Sequence, residues 1–452
     1  MNERVDLAAE AYLYYYALVE NVRQVQRYVT TGVGSNPAAP FNSFSHARTL
    51  AGPQDTFVTI NNDTVYSMAP LDLSAGPVVL EVPDLGDRYY VLQFVDAWSN
   101  NIAYVGTRAT GSAAGSFVVV PPGWTGGLPP EHRVIQASTN VLSIIGRFAC
   151  DGPADIPAVN AIQDSLVLRP VGDAQAHRLA GIPQTDPGLS TELSFWEQAR
   201  LWSQAFPAPE QDHAFAERYG ALGIGSPTGP YGAAGDLTAD LTADLTADLT
   251  AGYRAGVDKL EYLTHHGSSP VINGWTVGVH LFDYNSYCLA LGTLDEDAWK
   301  IADPTRRIVE RAVADRLGLW GNHGYEAVYA QAFTDIDGSP LTGDATYTIT
   351  IEQPPPVGAF WSTTLYDIPR YYLVDNPINR YSIGDRTQGI VYSDDGSLTI
   401  TVGNAAPSEA DARANWLPAP AGPFRLVMRL YIPGEPILDG SYQFPAIRRQ
   451  PA

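Results

Sequence analysis

Residues 59–96 read TINNDTVYSMAPLDLSAGPVVLEVPDLGDRYYVLQFVD. Two runs within it, PVVLEV and YYVLQFV, are short, apolar and bounded by Gly, Pro and Asp, which is the pattern of β-strands. IAYVGT, SFVVVP, RVIQAS and VLSIIGRFAC continue it to about residue 150. Strands at such close spacing predict a sandwich or barrel over residues 51–153. The polar knot NNDTVYS at their mouth is unusual, because such strands commonly meet through a Gly-containing turn.

Outward from this stretch the period changes. Leu7, Ala11, Tyr14, Leu18, Val22 and Val25 recur at threes and fours, so residues 1–50 are read as a helix and a linker. Residues 154–335 carry the same periodicity in SFWEQARLWSQAF, DHAFAERYGAL, AGVDKLEYLTHH and TRRIVERAVADRLGLWG, and are expected to be mostly helical. Within them, residues 236–251 repeat the tetrapeptide DLTA four times. On a helix the leucines of successive copies drift by about 40°, and the aspartates repel at i, i+4. The repeat is read as structural, with Asp236 as its cap. Strand patterns return over residues 336–452, in ATYTITIEQ, AFWSTTLYD and PFRLVMRLYIP.

Composition narrows the function. At 452 residues, two or three domains are expected. A net charge of −22 offers no basic stripe for nucleic acid and no attraction to anionic membranes. No window of 18 uncharged apolar residues spans a bilayer, and the N-terminus lacks a secretory pattern, so a cytoplasmic location is the default expectation. Lys259 and Lys300 are the only lysines, and neither sits in a phosphate-loop or Schiff-base motif. Cys150 and Cys288 are too few for a disulfide framework or a zinc cluster. No G-x-S-x-G, no dinucleotide loop and no H-E-x-x-H occurs, so neither cofactor nor metal is expected.

What remains is polar chemistry interleaved with aromatics. Asn61, Asn62, Asp63, Thr64, Tyr66 and Ser67 gather amides, a carboxylate and hydroxyls at one strand mouth. One reading is a turn whose Asx side chains bond its own backbone. The other aims Asp63 into a pocket as acid/base, with Tyr66, Asn62 and Thr64 around a substrate. Arg88, Arg147 and Arg429 each alternate with apolar neighbours. An arginine inside a strand is paired, or faces water or ligand, and Asp63, Asp72 and Asp96 are the expected partners. In the C-terminal region Trp361, Tyr366, Arg380 and Tyr381 fall near strand ends, where they line a pocket or pack a core.

TINNDTVYSMAPLDLSAGPVVLEVPDLGDRYYVLQFVDAW resembles the signature of the family called domain of unknown function 1254. The segment GNHGYEAVYAQAFTDIDGSPLTGDATYTITIEQPPPVGAFWSTTLYD, with LVDNPINRYSIGDRT, NWLPAPAGPFRLVMRLYIP and LDG, resembles its usual partner, domain of unknown function 1214. The resemblance implies a mainly β fold with α: an N-terminal helix, a β-sandwich, a helical middle and a C-terminal jelly-roll. The function expected is a cofactor-independent lyase, isomerase or hydrolase acting on a small, largely apolar molecule in a cleft between the β domains. Asp63, Tyr66 and Arg88 are its catalytic candidates, and Asn62, Thr64, Arg147, Trp361, Tyr366, Arg380 and Tyr381 its binding candidates. The alternatives are a non-catalytic small-molecule or carbohydrate-binding module and an assembly scaffold. A homo-oligomer is allowed by either.

Overall fold

The computed structural model describes residues 2–171, 179–227, 239–267 and 269–451. The chain opens with α1 (Glu3–Thr30), whose start is capped by the Asn2 side chain accepting from the Arg4 amide. It is followed by α2 (Ile156–Asp164), α3 (Thr191–Ala205), α4 (His213–Tyr219), α5 (Ala239–His265) and α6 (Pro304–Gly318). The periodic face of α1, including Tyr14, Leu18 and Val22, is buried with Phe195, Trp196 and Trp202 of α3, Leu249 of α5 and Ala312 of α6. The DLTA repeat therefore contributes to a packed helix, with Leu245 and Leu249 buried. Asp236 and Leu237, expected to begin that helix, lie outside the described residues. Close approach of α1 and α5 rests on two glycines. A β-carbon on Gly252 would lie 2.3 Å from Ala8 Cβ, and one on Gly256 2.5 Å from Tyr12 Cβ.

The first β unit contains β1 (Ser45–His46), β2 (Thr64–Asp72), β3 (Val78–Val82), β4 (Tyr90–Asp96), β5 (Asn101–Gly106), β6 (Gly115–Val120), β7 (Arg133–Gln136), β8 (Val141–Ala149) and β9 (Val167–Pro170). These form a five-stranded sheet, β1-β2-β8-β4-β5, and a four-stranded sheet, β7-β6-β3-β9. Leu92, Phe94, Ile144 and Phe148 of the first share a core with Val78, Leu80, Phe117 and Val119 of the second. That is a sandwich.

The second unit contains β10 (Val271–Ile272), β11 (Trp275–Val277), β12 (Ala327–Ala332), β13 (Tyr347–Ile351), β14 (Trp361–Asp367), β15 (Ser382–Gly384), β16 (Leu398–Gly403), β17 (Trp416–Pro418), β18 (Phe424–Tyr431) and β19 (Ile447–Arg449). Its sheets are β10-β11-β12-β18-β14-β15 and β17-β16-β13-β19. Val328, Leu426, Met428 and Leu430 of one pack on Ile349, Ile351, Ile400 and Val402 of the other. Strands β1 and β9 to β12 fall outside the ranges where the sequence suggests β structure. They are short or lie next to helical runs, and they complete sheets whose other strands are remote in the chain. Among the described residues no helix is long and apolar enough to cross a membrane.

One buried acid sits in the helical layer. Asp315 of α6 accepts from Ser99 Oγ at 2.7 Å through Oδ1, while Oδ2 has no partner. Burial pushes its carboxyl well above the usual range, opposed by Ser99 and Arg311. A carboxyl raised in this way is favourable to the fold below the range where it titrates when unfolded, and that contribution is lost as pH rises. Asp315→Asn is therefore expected to raise the melting temperature at pH 8, on the order of 2 °C. The gain should vanish near pH 4, as followed by circular dichroism.

Candidate functional site

Alternation along a strand sends successive side chains to opposite faces. In β18, Phe424, Leu426, Met428 and Leu430 enter the core of the second sandwich, so Arg425, Val427, Arg429 and Tyr431 point the other way. All eight positions of β18 are nonetheless buried. The outward face is covered by the five-stranded sheet of the first sandwich. Tyr89, Val91 and Tyr104 of that sheet pack directly on Tyr325, Ala327, Phe360 and Tyr431. Two sandwiches thus share a third inter-sheet layer, beyond the core of each.

Beside this apolar patch lies a cavity of about 50 Å³. Tyr66 and Arg147, cross-strand partners on β2 and β8, line it from one sheet. Tyr329 and Arg429, cross-strand partners on β12 and β18, line it from the other. Phe57, Met68, Phe282 and Val427 supply apolar wall, and Tyr28 of α1 reaches it too.

Arg147 is 5% exposed, Arg429 3% and Arg425 0%. Their partners are all neutral. Arg147 donates to Gln93 Oε1 and to the Trp320 carbonyl, both at 2.7 Å. Arg429 donates to Thr364 Oγ1 at 3.0 Å, and to the Thr59 carbonyl and Tyr366 OH at 2.7 Å. Arg425 donates to Gln331 Oε1 at 2.6 Å and to the Leu317 carbonyl at 3.0 Å, and also reaches Thr59 Oγ1. Among the described residues no carboxylate oxygen comes within 4.0 Å of any of the three guanidinium groups. Burial pulls Arg425 down to about 10, still a cation at neutral pH. Thr59 and Trp320, which offer their carbonyls to this pair of walls, hold left-handed backbone at φ 54° and 66°. For a β-branched residue such as Thr59 this is a strained conformation, of the kind that gathers at functional sites.

A second, outer cleft of about 470 Å³ opens at the end of the same layer. Asp63, 6% exposed, lines it. Its Oδ2 accepts from Ser362 Oγ at 2.7 Å and Tyr431 OH at 3.3 Å, both from the opposite sandwich. No described protein group donates to its Oδ1. The polar knot of residues 61–64 divides its labour. Asn61 Oδ1 receives the Asp63 and Thr64 amides and Thr64 Oγ1, forming the turn, and this leaves the Asp63 side chain for the neighbouring unit.

The ten candidates from the sequence are thus divided. Tyr66 and Arg147 line the cavity, with the Arg147 guanidinium 5.5 Å from the Tyr66 ring centre. Asn62, Asp63, Trp361, Arg380 and Tyr381 line the outer cleft. Arg380 is turned toward protein, donating to the Ala414 carbonyl at 2.6 Å and the Trp416 carbonyl at 3.0 Å. Thr64 and Tyr366 brace the walls, Tyr366 OH donating to the Ile60 carbonyl at 2.7 Å. Arg88 lines neither space. It forms a bidentate pair with Asp155, at 2.6 and 2.7 Å, and donates to the Ala149 carbonyl at 2.5 Å. Its partner is none of Asp63, Asp72 or Asp96, because the turn after β8 carries Asp155 back beside the start of β4. Arg88 is thus tied to Asp155 and reaches neither space.

Sequence reading does not single out Arg425, Tyr329, Ser362 or Tyr431. The signal available for Arg425 and Arg429 is their spacing of four on one face of PFRLVMRLY, which a strand presents together. No group of three or more His, Cys, Asp or Glu side chains suited to a metal occurs among the described residues.

The family described as protein of unknown function (DUF1254) matches residues 41–170, and that described as protein of unknown function (DUF1214) matches residues 326–435. The chain belongs to the DUF1254–DUF1214 proteins. The inter-sheet layer is therefore built where its two family domains meet. The VPA0106 protein of Vibrio parahaemolyticus has a similar structure, with a TM-score of 0.70 at 25% identity over 99% of this chain and 100% of that one. An uncharacterised protein of Burkholderia cenocepacia aligns at a TM-score of 0.47 and 12% identity over 98% and 88% of the chains, a likeness too loose to carry an inference. No curated protein matches the sequence.

The Arg88 bond holds the Asp155 carboxyl below its usual range, against a smaller opposing effect of burial. Its stabilisation is present above the ordinary carboxylate range and is lost as pH falls through the lowered value. Arg88→Ala is expected to cost about 1–3 kcal/mol at pH 7 in urea denaturation. The gap to wild type should close in acid.

Proposed function

We propose that this protein binds a small organic anion with an apolar body between its two sandwiches, its negative group received by Arg147 and Arg429. The observation that supports this most is that two buried guanidinium groups, from opposite sheets, line one cavity with only neutral partners. Arginine does not shed its charge on burial, and a buried cation without a counter-charge costs several kcal/mol. An anionic group between them converts that cost into charge-assisted hydrogen bonds. Phe57, Met68, Phe282 and Val427 suit the apolar remainder. The overall charge of −22 favours a small ligand over nucleic acid or an anionic membrane. Free Cys150 and Cys288 accord with the cytoplasm.

Titration calorimetry with a panel of small carboxylates tests the reading. Each of Arg147→Met and Arg429→Met is expected to weaken binding about 10- to 100-fold, the range of one hydrogen bond to a charged group. Binding unchanged in both variants, or none in wild type, overturns it.

A second reading adds turnover, of the lyase, isomerase or hydrolase kind and without a cofactor. It is favoured by Asp63, whose Oδ2 is fixed by Ser362 and Tyr431 while Oδ1 has no described protein donor beside the outer cleft. For any carboxylate found to be consumed, Asp63→Asn should lower kcat by about 100-fold or more while the variant still binds. An unchanged kcat in the folded variant removes Asp63 from the chemistry.

A further inference from the structure

We infer that the anion taken by the inter-sheet cavity is doubly charged, a short dicarboxylate whose two ends are held by Arg147 and Arg429; this rests on the anion-binding reading above.

The layer between the sandwiches carries more positive than negative charge. The guanidinium groups that reach it are those of Arg108, Arg147, Arg386, Arg425 and Arg429, and Arg386 is matched by Asp151 at 3.0 Å. Arg108 is matched by Glu326, at 2.5 Å. Of the remaining three, Arg429 feels Asp63, which itself is held by Ser362 and Tyr431 and forms no ion pair within 4.0 Å. Asp55, behind Tyr28, accepts from the Ser35 and Gly52 amides and has none of these guanidinium groups within 4.0 Å. Three cations against one carboxylate leave a surplus of two positive charges, with Arg147 and Arg429 in the cavity wall and Arg425 behind it, held by the lining residues Gln331 and Leu317. A monoanion halves that surplus; a dianion removes it.

Geometry then selects among dianions. Arg147 stands on β8 and Arg429 on β18, so the two donors come from facing sheets and not from one nest of amides. A compact phosphate is best met by converging N–H groups at a helix N-terminus or Gly-rich loop, and the lining here includes the apolar residues Met68, Ile145 and Val427. A molecule with a charge at each end and carbon between matches that order. The cavity of about 50 Å³ keeps the carbon chain short.

Succinate and butyrate test this, since they share a four-carbon chain and differ by one carboxylate. Calorimetry on wild type should show succinate binding on the order of 10-fold more tightly than butyrate or better. In Arg147→Met that advantage should disappear, with both ligands at the butyrate level. Equal affinities in wild type overturn the dicarboxylate and leave the anion reading intact. Inorganic phosphate binding more tightly than succinate overturns it in favour of a compact dianion. No binding of any of the three, alongside silence from the wider carboxylate panel, ends both. The wild-type comparison stands even where a variant fails to fold.

Discussion

A guanidinium group cannot escape burial by giving up its proton. That constraint governs the centre of this molecule. Arg147, Arg425 and Arg429 lie in the layer between two sandwiches, where protein groups take the place of water around their donors, although Arg425 Nε has no partner. Carbonyls of Thr59, Leu317 and Trp320, amide oxygens of Gln93 and Gln331, and hydroxyls of Thr364 and Tyr366 fill this role. Two of the carbonyls come from residues in left-handed backbone. The segments around residues 57–61 and 317–321 are thus shaped by the cations they surround.

The same layer also joins the two halves. Tyr89 OH donates to Glu326 at 2.9 Å, Arg108 pairs with Glu326, and Tyr104 meets His323 at 2.9 Å. Burial, helped by Arg108, pushes His323 down to about 3, so it works as a neutral hydrogen-bonding ring near pH 7. The helices close the remaining side, with Asn21 of α1 accepting from Trp320 Nε1 at 2.6 Å and holding one strained segment in place. Residues from α1, from the end of α6 and from both sandwiches thus line the cavity beside the arginine pair.

Much of this architecture is legible along the chain. The 3.6-residue period from Leu7 to Val25 marks α1 closely, and PVVLEV, YYVLQFV and VLSIIGRFAC become β3, β4 and β8. Short strands such as β10 and β11 are not legible, because two or three residues carry no measurable period and are extended only by pairing with β12. The candidate site is half legible. NNDTVYS marks a polar strand mouth, and its turn chemistry is local: Asn61 bonds the amides two and three residues on. Which side chain that turn releases, and toward what, is not local. Ser362 and Tyr431 are 299 and 368 residues away from Asp63.

Sequence by itself determined the family, the order of helical and β segments, and which residues of each strand share a face, since period and side-chain alternation are properties of adjacent residues. Only tertiary structure decided what covers each face. In PFRLVMRLY the strand arginine reads as paired, or as facing water or ligand, and in the folded protein a second sheet lies over that side. In GDRYYVLQF an arginine with the same local pattern is neutralised by Asp155, brought back by a turn beyond β8. One pattern, two fates: alternation specifies direction, and the electrostatic environment met in that direction is set by segments far along the chain.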